Sequence, residues 1–139
     1  MNTWWVYALL SALFAAITAT LAKIGIKNID TDLATAIRTV VVLILAWLIV
    51  FTKGSTHLIS SLTKTNILFL VLSGIATGLS WIFYFKALQL GKVSQVAPVD
   101  KLSVAISIIF SVIFLGEVLT VKTFLGALCI IAGTIIIIL

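Results

Sequence analysis

Three charged side chains lie within apolar stretches of the sequence: Arg38, Asp100 and Lys101. A charge at the centre of a membrane-spanning helix costs about 2.5–3.5 kcal/mol, so such residues face the protein interior or a water-filled cavity. A lysine can extend its stem toward the surface, but an aspartate is too short to do so and needs a partner. Buried charges of this kind bind ionic groups or exchange a proton or an ion.

Arg38 is the partner that we predict for Asp100. Adjacent residues of a helix point about 100° apart, so Asp100 and Lys101 are not expected to neutralise each other. In a helix that begins near Ser94, Asp100 would lie about 9 Å inside, a depth similar to that of Arg38 in its own span. The three charges sum to +1, which indicates either an anionic substrate group or a lysine that becomes neutral in apolar surroundings.

Two stripes of polar side chains accompany these charges. They consist of Ser103, Ser107 and Ser111, and of Ser73, Thr77, Ser80 and Tyr84. Residues three and four apart share one helix face. Such serines either let helices pack closely or line a pathway, and two stripes on consecutive helices favour the pathway. With Arg38, Asp100 and Lys101 they form the predicted substrate or coupling pathway. Trp81, beside the second stripe, either bounds this pathway or faces lipid.

The elements that must position these residues are five apolar segments. The chain of 139 residues is 63% hydrophobic and 9% charged, whereas a soluble domain has about 25% charged residues. A membrane-spanning helix needs about 20 apolar residues, and continuous apolar runs favour helices over barrel strands. We therefore predict an all-α integral membrane protein, and the spans are approximately 4–22, 34–52, 66–87, 94–115 and 121–139. The first is expected to be a retained span and not a signal peptide.

Pro98 and the charges between the spans raise separate questions. Proline is tolerated in the first turn of a helix, and a fourth helix that begins near residues 94–96 would place Pro98 there; the alternative is a kink.

The charges of the segment 23–33 are expected to form a solvated loop. The net charge of +5 is scattered along the chain, which excludes a nucleic-acid patch. His57 lacks a second nearby ligand, so neither a metal site nor another cofactor is expected.

Lysines in the connections are divided almost evenly between the two sides of the membrane. With five spans, one side carries Lys53, Lys64 and Lys122, and the other carries Lys23, Lys27, Lys86 and Lys92. Because orientation is set by the bias of Lys and Arg, this small bias predicts insertion in both orientations.

Several stretches carry a family resemblance. "FKALQLGKVSQVAP", "SVIFLGEVLT" and "FLGALCIIAGTIII" resemble the last three helices of an EamA-type repeat of the drug/metabolite transporter superfamily. "WWVYALLSALFAAITATLAKIG" and "LATAIRTVVVLI" fit the first two helices, so the whole chain, residues 1–139, is interpreted as one such domain. It is similar to the single-repeat bacterial and archaeal branch. The Glu-Pro pair of many longer relatives falls on Ser103 and Val104, so no substrate is carried over.

The resemblance implies a secondary transporter in the cell membrane that moves a small metabolite or drug-like solute by alternating access. Transporters of this kind place their site between inverted halves, so a single repeat is expected to pair with an inverted copy of itself. A small-residue stripe, Gly126, Cys129 and Gly133, is the expected dimer contact. No group of residues has the spacing of a catalytic site, so we do not expect an enzyme. The competing interpretation is a structural or accessory membrane subunit without transport activity of its own.

Overall fold

A computed structural model describes residues 3–139, and over that range it contains helices and turns but no β-strand. The helices are α1 (Trp4–Gly25), α2 (Thr31–Thr52), α3 (Lys64–Leu90), α4 (Val93–Asp100), α5 (Leu102–Leu115) and α6 (Val121–Ile138), with a 3-10 helix over Ser55–Ser61. Together α4 and α5 form a single apolar span, Val93–Leu115, so five spans are long and apolar enough to cross a membrane. The predicted all-α class with five spans is confirmed.

The contacts of the chain fall into two compact units. One unit contains residues 3–20 and Leu90–Leu139, and the other contains Leu21–Gln89. In the most apolar stretch of each span at most 6% of the residues are buried. An apolar surface of this extent suits a lipid environment, because a helix that is hydrophobic all round needs lipid or protein around it.

In the unit Leu21–Gln89, the buried side chains lie where α2 begins and α3 ends. They are Ile26, Thr31, Thr35, Phe85 and Leu88. The start of α2 is capped by Asp30, whose Oδ1 accepts hydrogen bonds from the main-chain N–H groups of Asp32 (3.0 Å) and Leu33 (2.9 Å). Such a cap satisfies N–H groups that a helix start leaves unpaired, so α2 begins at Thr31 and not at the predicted residue 34.

The fourth span is interrupted at Lys101, between α4 and α5. Because α4 begins at Val93, Pro98 is in the helix interior, and the prediction that it occupies the first turn is wrong. Pro98 has no N–H to donate to the preceding turn, and its ring crowds that turn. After it, the Lys101 N–H contacts two carbonyls, those of Ala97 (3.3 Å) and Pro98 (3.1 Å). The structure therefore shows the alternative, a proline-linked break.

Gly116 and Thr120 fix the turn between α5 and α6. Gly116 ends α5 in the left-handed conformation (φ 67°), and the Glu117 N–H donates to the Ser111 carbonyl across 3.2 Å. This is the pattern of a glycine-terminated helix. Thr120 then caps α6, because its Oγ1 accepts from the Thr123 N–H at 3.1 Å.

Candidate functional site

In the unit Leu21–Gln89, Arg38 of α2 lies over two aromatic rings of α3. The guanidinium carbon is 4.1 Å from the centre of the Trp81 ring and 5.3 Å from the centre of the Phe85 ring. Trp81 and Phe85 are four residues apart, which places them on one face of α3. Phe85 is buried, whereas Arg38 and Trp81 are half-buried. We call Arg38, Trp81 and Phe85 the arginine–aromatic cluster.

These rings stabilise the half-buried Arg38 cation only in part. A charge at the centre of a span costs about 2.5–3.5 kcal/mol, and a cation–π contact contributes about 0.5–2 kcal/mol. Within Leu21–Gln89, however, neither Asp30 nor Asp32 forms an ion pair with it. The cluster therefore holds a membrane-embedded cation that lacks a carboxylate partner in its own unit.

Side-chain hydrogen bonds join the end of α1 and the turn before α2 to the end of α3. The Lys23 ammonium donates to the main-chain carbonyls of Leu88 and Gln89. The Gln89 amide donates to the carbonyls of Ile29 (2.9 Å) and Ile26 (3.4 Å). Carbonyls at a helix end lack partners in the helix, and a cation there is favourable. Lys23, in the last turn of α1, is thus fastened to the end of α3 and is not part of a solvated loop, whereas Lys27, Asp30 and Asp32 are exposed, as that expectation requires.

Threonines extend along α2 beside the cluster, a feature that sequence reasoning missed. Thr35 donates to the Thr31 carbonyl and Thr39 donates to the Thr35 carbonyl, each across 2.8 Å. Thr31 and Thr35 are both buried. The signal was present as threonine at every fourth position, which places the hydroxyls on one helix face.

In the other unit, Asp100 and Lys101 flank the break in the fourth span. The Lys101 ammonium lies 3.3 Å from Asp100 Oδ2, so the expectation that these neighbours would not neutralise each other is wrong. That expectation assumed a continuous helix, whereas the chain is interrupted at Lys101 and the long lysine stem turns back. The pair is partly accessible, with 56% of the Lys101 side chain and 35% of the Asp100 side chain exposed.

Thr134 of α6 contacts this break, which sequence reasoning also missed. Its hydroxyl lies 3.2 Å from the Pro98 carbonyl and 2.8 Å from the Ile130 carbonyl, and the residue is 3% exposed. It is the polar residue of an otherwise apolar helix end, "IIAGTIIII". Its side chain gives the carbonyl before the break a second donor.

The remaining predicted site residues are divided between the units. Ser103, Ser107 and Ser111 lie on α5, and Ser73, Thr77, Ser80 and Tyr84 lie on α3. Ser107 donates to the Ser103 carbonyl (2.8 Å) and Thr77 to the Ser73 carbonyl (2.9 Å). Hydroxyls that donate to their own helix keep lone pairs as acceptors. A shared pathway stays a prediction, as does the Arg38–Asp100 ion pair.

The stripe on α6 is open in the single chain. A Cβ atom added at Gly126 or Gly133 would meet no heavy atom within 4 Å, and Cys129 is exposed. Small residues of this kind allow close helix contact. The dimer contact on this stripe stays a prediction.

The apolar spans define a multi-pass membrane protein, and comparison with known proteins gives its family. Residues 2–139 match the EamA-like transporter family. The chain is 48% identical over 135 residues to an uncharacterized transporter encoded in the cobO 3' region of a Sinorhizobium species, covering 97% of this chain and 96% of that protein. The chain belongs to the EamA-like transporter family, which confirms the resemblance found in its sequence.

A human protein, solute carrier family 35 member G1, is 32% identical over 126 residues. This match covers 90% of the chain but 34% of the human protein. No solved structure matches the chain.

Proposed function

We propose that the protein is a secondary transporter that moves a small metabolite or drug-like solute across the cell membrane by alternating access. Its membership of a transporter family and its five apolar spans support this proposal. The Sinorhizobium relative supports a bacterial plasma membrane as the location.

The observation that carries the proposal is the interruption of the fourth span beside Asp100 and Lys101. The eight residues of α4 extend roughly 12 Å, so the break lies inside a hydrocarbon layer of roughly 30 Å. Transporters form solute and ion sites where helices are discontinuous at membrane depth. Lys101 itself keeps right-handed helical backbone angles (φ −71°, ψ −8°). Pro98, however, leaves a carbonyl of the preceding turn without its N–H partner, and such a carbonyl at that depth requires cover by protein or contact with water. Cover by protein and contact with water are both properties of a solute pathway.

The second half of the transporter would be an inverted copy of the same chain. Two inverted halves around a central site form the general plan of such transporters, and the almost even lysine distribution permits both orientations. Closed pairs with twofold symmetry are also the commonest oligomers. The pathway would lie at the interface of the two copies and use the predicted residues of α2, α3 and α5 together with Asp100 and Lys101 at the break.

Solute flux into proteoliposomes tests this function. The purified protein is reconstituted and screened with labelled amino acids, organic anions and cationic drugs, and empty liposomes give the background. We expect uptake of one class above background, and its loss in the double variant Asp100→Asn/Lys101→Met while that variant remains folded. If the folded wild type moves none of these classes, the alternative of an accessory membrane subunit gains support. Retained flux in the folded double variant would show that transport does not need the two charges.

A further inference from the structure

We propose that the arginine–aromatic cluster binds the carboxylate of a monoanionic organic solute, an inference that rests on the proposed function and names its substrate class. Its starting point is the geometry around Arg38, whose guanidinium lies over the Trp81 ring at 4.1 Å and near the Phe85 ring at 5.3 Å. The guanidinium carries five N–H donors in a planar fork, more than contacts with two ring faces can engage. The aromatic contacts therefore leave the donor edge suited to bind an oxyanion.

The charge balance within Leu21–Gln89 supports an anionic ligand. The carboxylates of this unit are Asp30 and Asp32, and the Asp30 side chain is used to cap α2. Neither forms an ion pair with Arg38. A charge at membrane depth normally pairs with an opposite charge or lines a functional path. Asp100, the carboxylate predicted to pair with Arg38, contacts Lys101 in its own unit, so a ligand carboxylate would supply the missing charge.

The chemistry of the cluster favours a carboxylate with an apolar body. The planar fork of arginine binds two carboxylate oxygens at once. One guanidinium balances the single charge of a carboxylate, whereas a phosphate monoester dianion would leave one negative charge uncompensated. Lys23, another cation of this unit, donates its hydrogen bonds to the main-chain carbonyls at the end of α3. The rings of Trp81 and Phe85 provide an apolar wall for the remainder of the solute.

Binding of benzoate by the purified full-length protein, measured by isothermal titration calorimetry in detergent micelles, tests the inference. Benzamide is the neutral probe of the same shape, and phenyl phosphate is the dianionic probe. The variants are Arg38→Lys and Arg38→Met, with Lys86→Met as the control because Lys86 is an exposed cation on α3, the helix that carries Trp81 and Phe85. Arg38→Lys keeps the charge and removes the planar fork, so it remains informative if Arg38→Met fails to fold.

We expect benzoate to bind the wild type and Lys86→Met alike, and benzamide to bind neither. Loss of one charged hydrogen bond predicts at least about tenfold weaker binding in Arg38→Lys, and no detectable binding in Arg38→Met. Equal binding of benzoate and benzamide, unchanged affinity in Arg38→Lys, or tighter binding of phenyl phosphate would overturn the inference.

Calorimetry reports binding without transport, so the two proposals can fail separately. Arginine-dependent benzoate binding without flux of any solute would contradict the transporter function and leave the site standing. Flux restricted to cationic drugs, without benzoate binding, would support transport and contradict the site.

Discussion

The hydroxyl of Thr134 on α6 donates a hydrogen bond to the main-chain carbonyl of Pro98 on α4 across 3.2 Å. The contact joins two helices that are 36 residues apart in the chain, and it falls three residues before the interruption at Lys101. The packing of α6 thus stabilises the segment that the proline weakens. The stability of the fourth span depends on a residue of the last span.

Replacement of Thr134 by valine is expected to destabilise the folded protein. Valine keeps the shape and removes the hydroxyl, whose single hydrogen is shared between the carbonyls of Pro98 and Ile130. A hydrogen bond between membrane helices contributes about 0.6 kcal/mol on average. We expect the free energy of unfolding to fall by about 0.5–1.5 kcal/mol, measured in mixed micelles with increasing sodium dodecyl sulfate. Thr20→Val is the matched control, because the Thr20 hydroxyl donates to the Ala16 carbonyl of its own helix. Equal losses in both variants would show that the contact with Pro98 adds nothing.

Replacement of Pro98 by alanine is expected to stabilise the protein and slow solute flux. Alanine restores an N–H for the preceding turn and removes the ring that crowds it. A proline in the interior of an ordinary helix costs about 3 kcal/mol. In a membrane, contacts with neighbouring helices recover part of this cost, so we expect the free energy of unfolding to rise by about 1 kcal/mol in Pro98→Ala. Unfolding in mixed micelles and proteoliposome flux measure the two effects.

Pro98→Gly separates the missing N–H from the flexibility of the break. Glycine restores the N–H but leaves the backbone free, so we expect this variant to keep most of the flux that Pro98→Ala loses. Flux that is unaffected in Pro98→Ala would show that the interruption has no part in transport.

Asp100 and Lys101 are expected to couple in a double-mutant cycle. Each single variant, Asp100→Asn or Lys101→Met, leaves one charge at membrane depth without its neighbour, whereas the double variant removes both. For a pair that is partly exposed, we expect a coupling of about 0.5–1 kcal/mol in the free energy of unfolding. If the single effects add without coupling, the contact at 3.3 Å contributes no stability.

The sequence is sufficient to predict the spans because lipid imposes a simple rule of length and apolarity. Arg38, Trp81, Asp100 and Lys101 could likewise be selected, since polar groups in such segments are costly. Their contacts could not be derived as readily. The Asp100–Lys101 pair depends on an interruption that arises because Pro98 lies in the interior of α4 and not in its first turn. Predicted helix starts are uncertain by a few residues, so the sequence did not decide between these two positions.

Long-range contacts were the part that sequence patterns did not predict. The position of Arg38 over Trp81 depends on the rotation of α2 against α3, and a single periodic pattern does not define that rotation. The Thr134–Pro98 contact joins distant segments. Local features are easier to predict from the sequence, because the Asp30 cap and the glycine turn at Gly116 follow known preferences of these residue types.

Disulfide crosslinking on α6 tests whether the copies pair in inverted orientation. Gly126 is five residues after the first residue of α6, and Gly133 is five residues before the last. In an antiparallel pair of α6 helices, position 126 of one copy therefore meets position 133 of the other, whereas in a parallel pair each position meets itself. Both sites are open in the single chain, so cysteine can be introduced there in a Cys129→Ala background.

Two differently tagged copies, one with Gly126→Cys and the other with Gly133→Cys, are expected to crosslink when they are expressed together in membranes and oxidised. Neither variant expressed alone is expected to form a crosslinked dimer. Leu128→Cys with Ile131→Cys is the control, because these positions are also symmetric about the middle of α6 but lie on another face. Crosslinking of each glycine variant with itself, without the mixed product, would indicate parallel pairs and contradict the inverted dimer, because only parallel helices keep identical positions at the same depth.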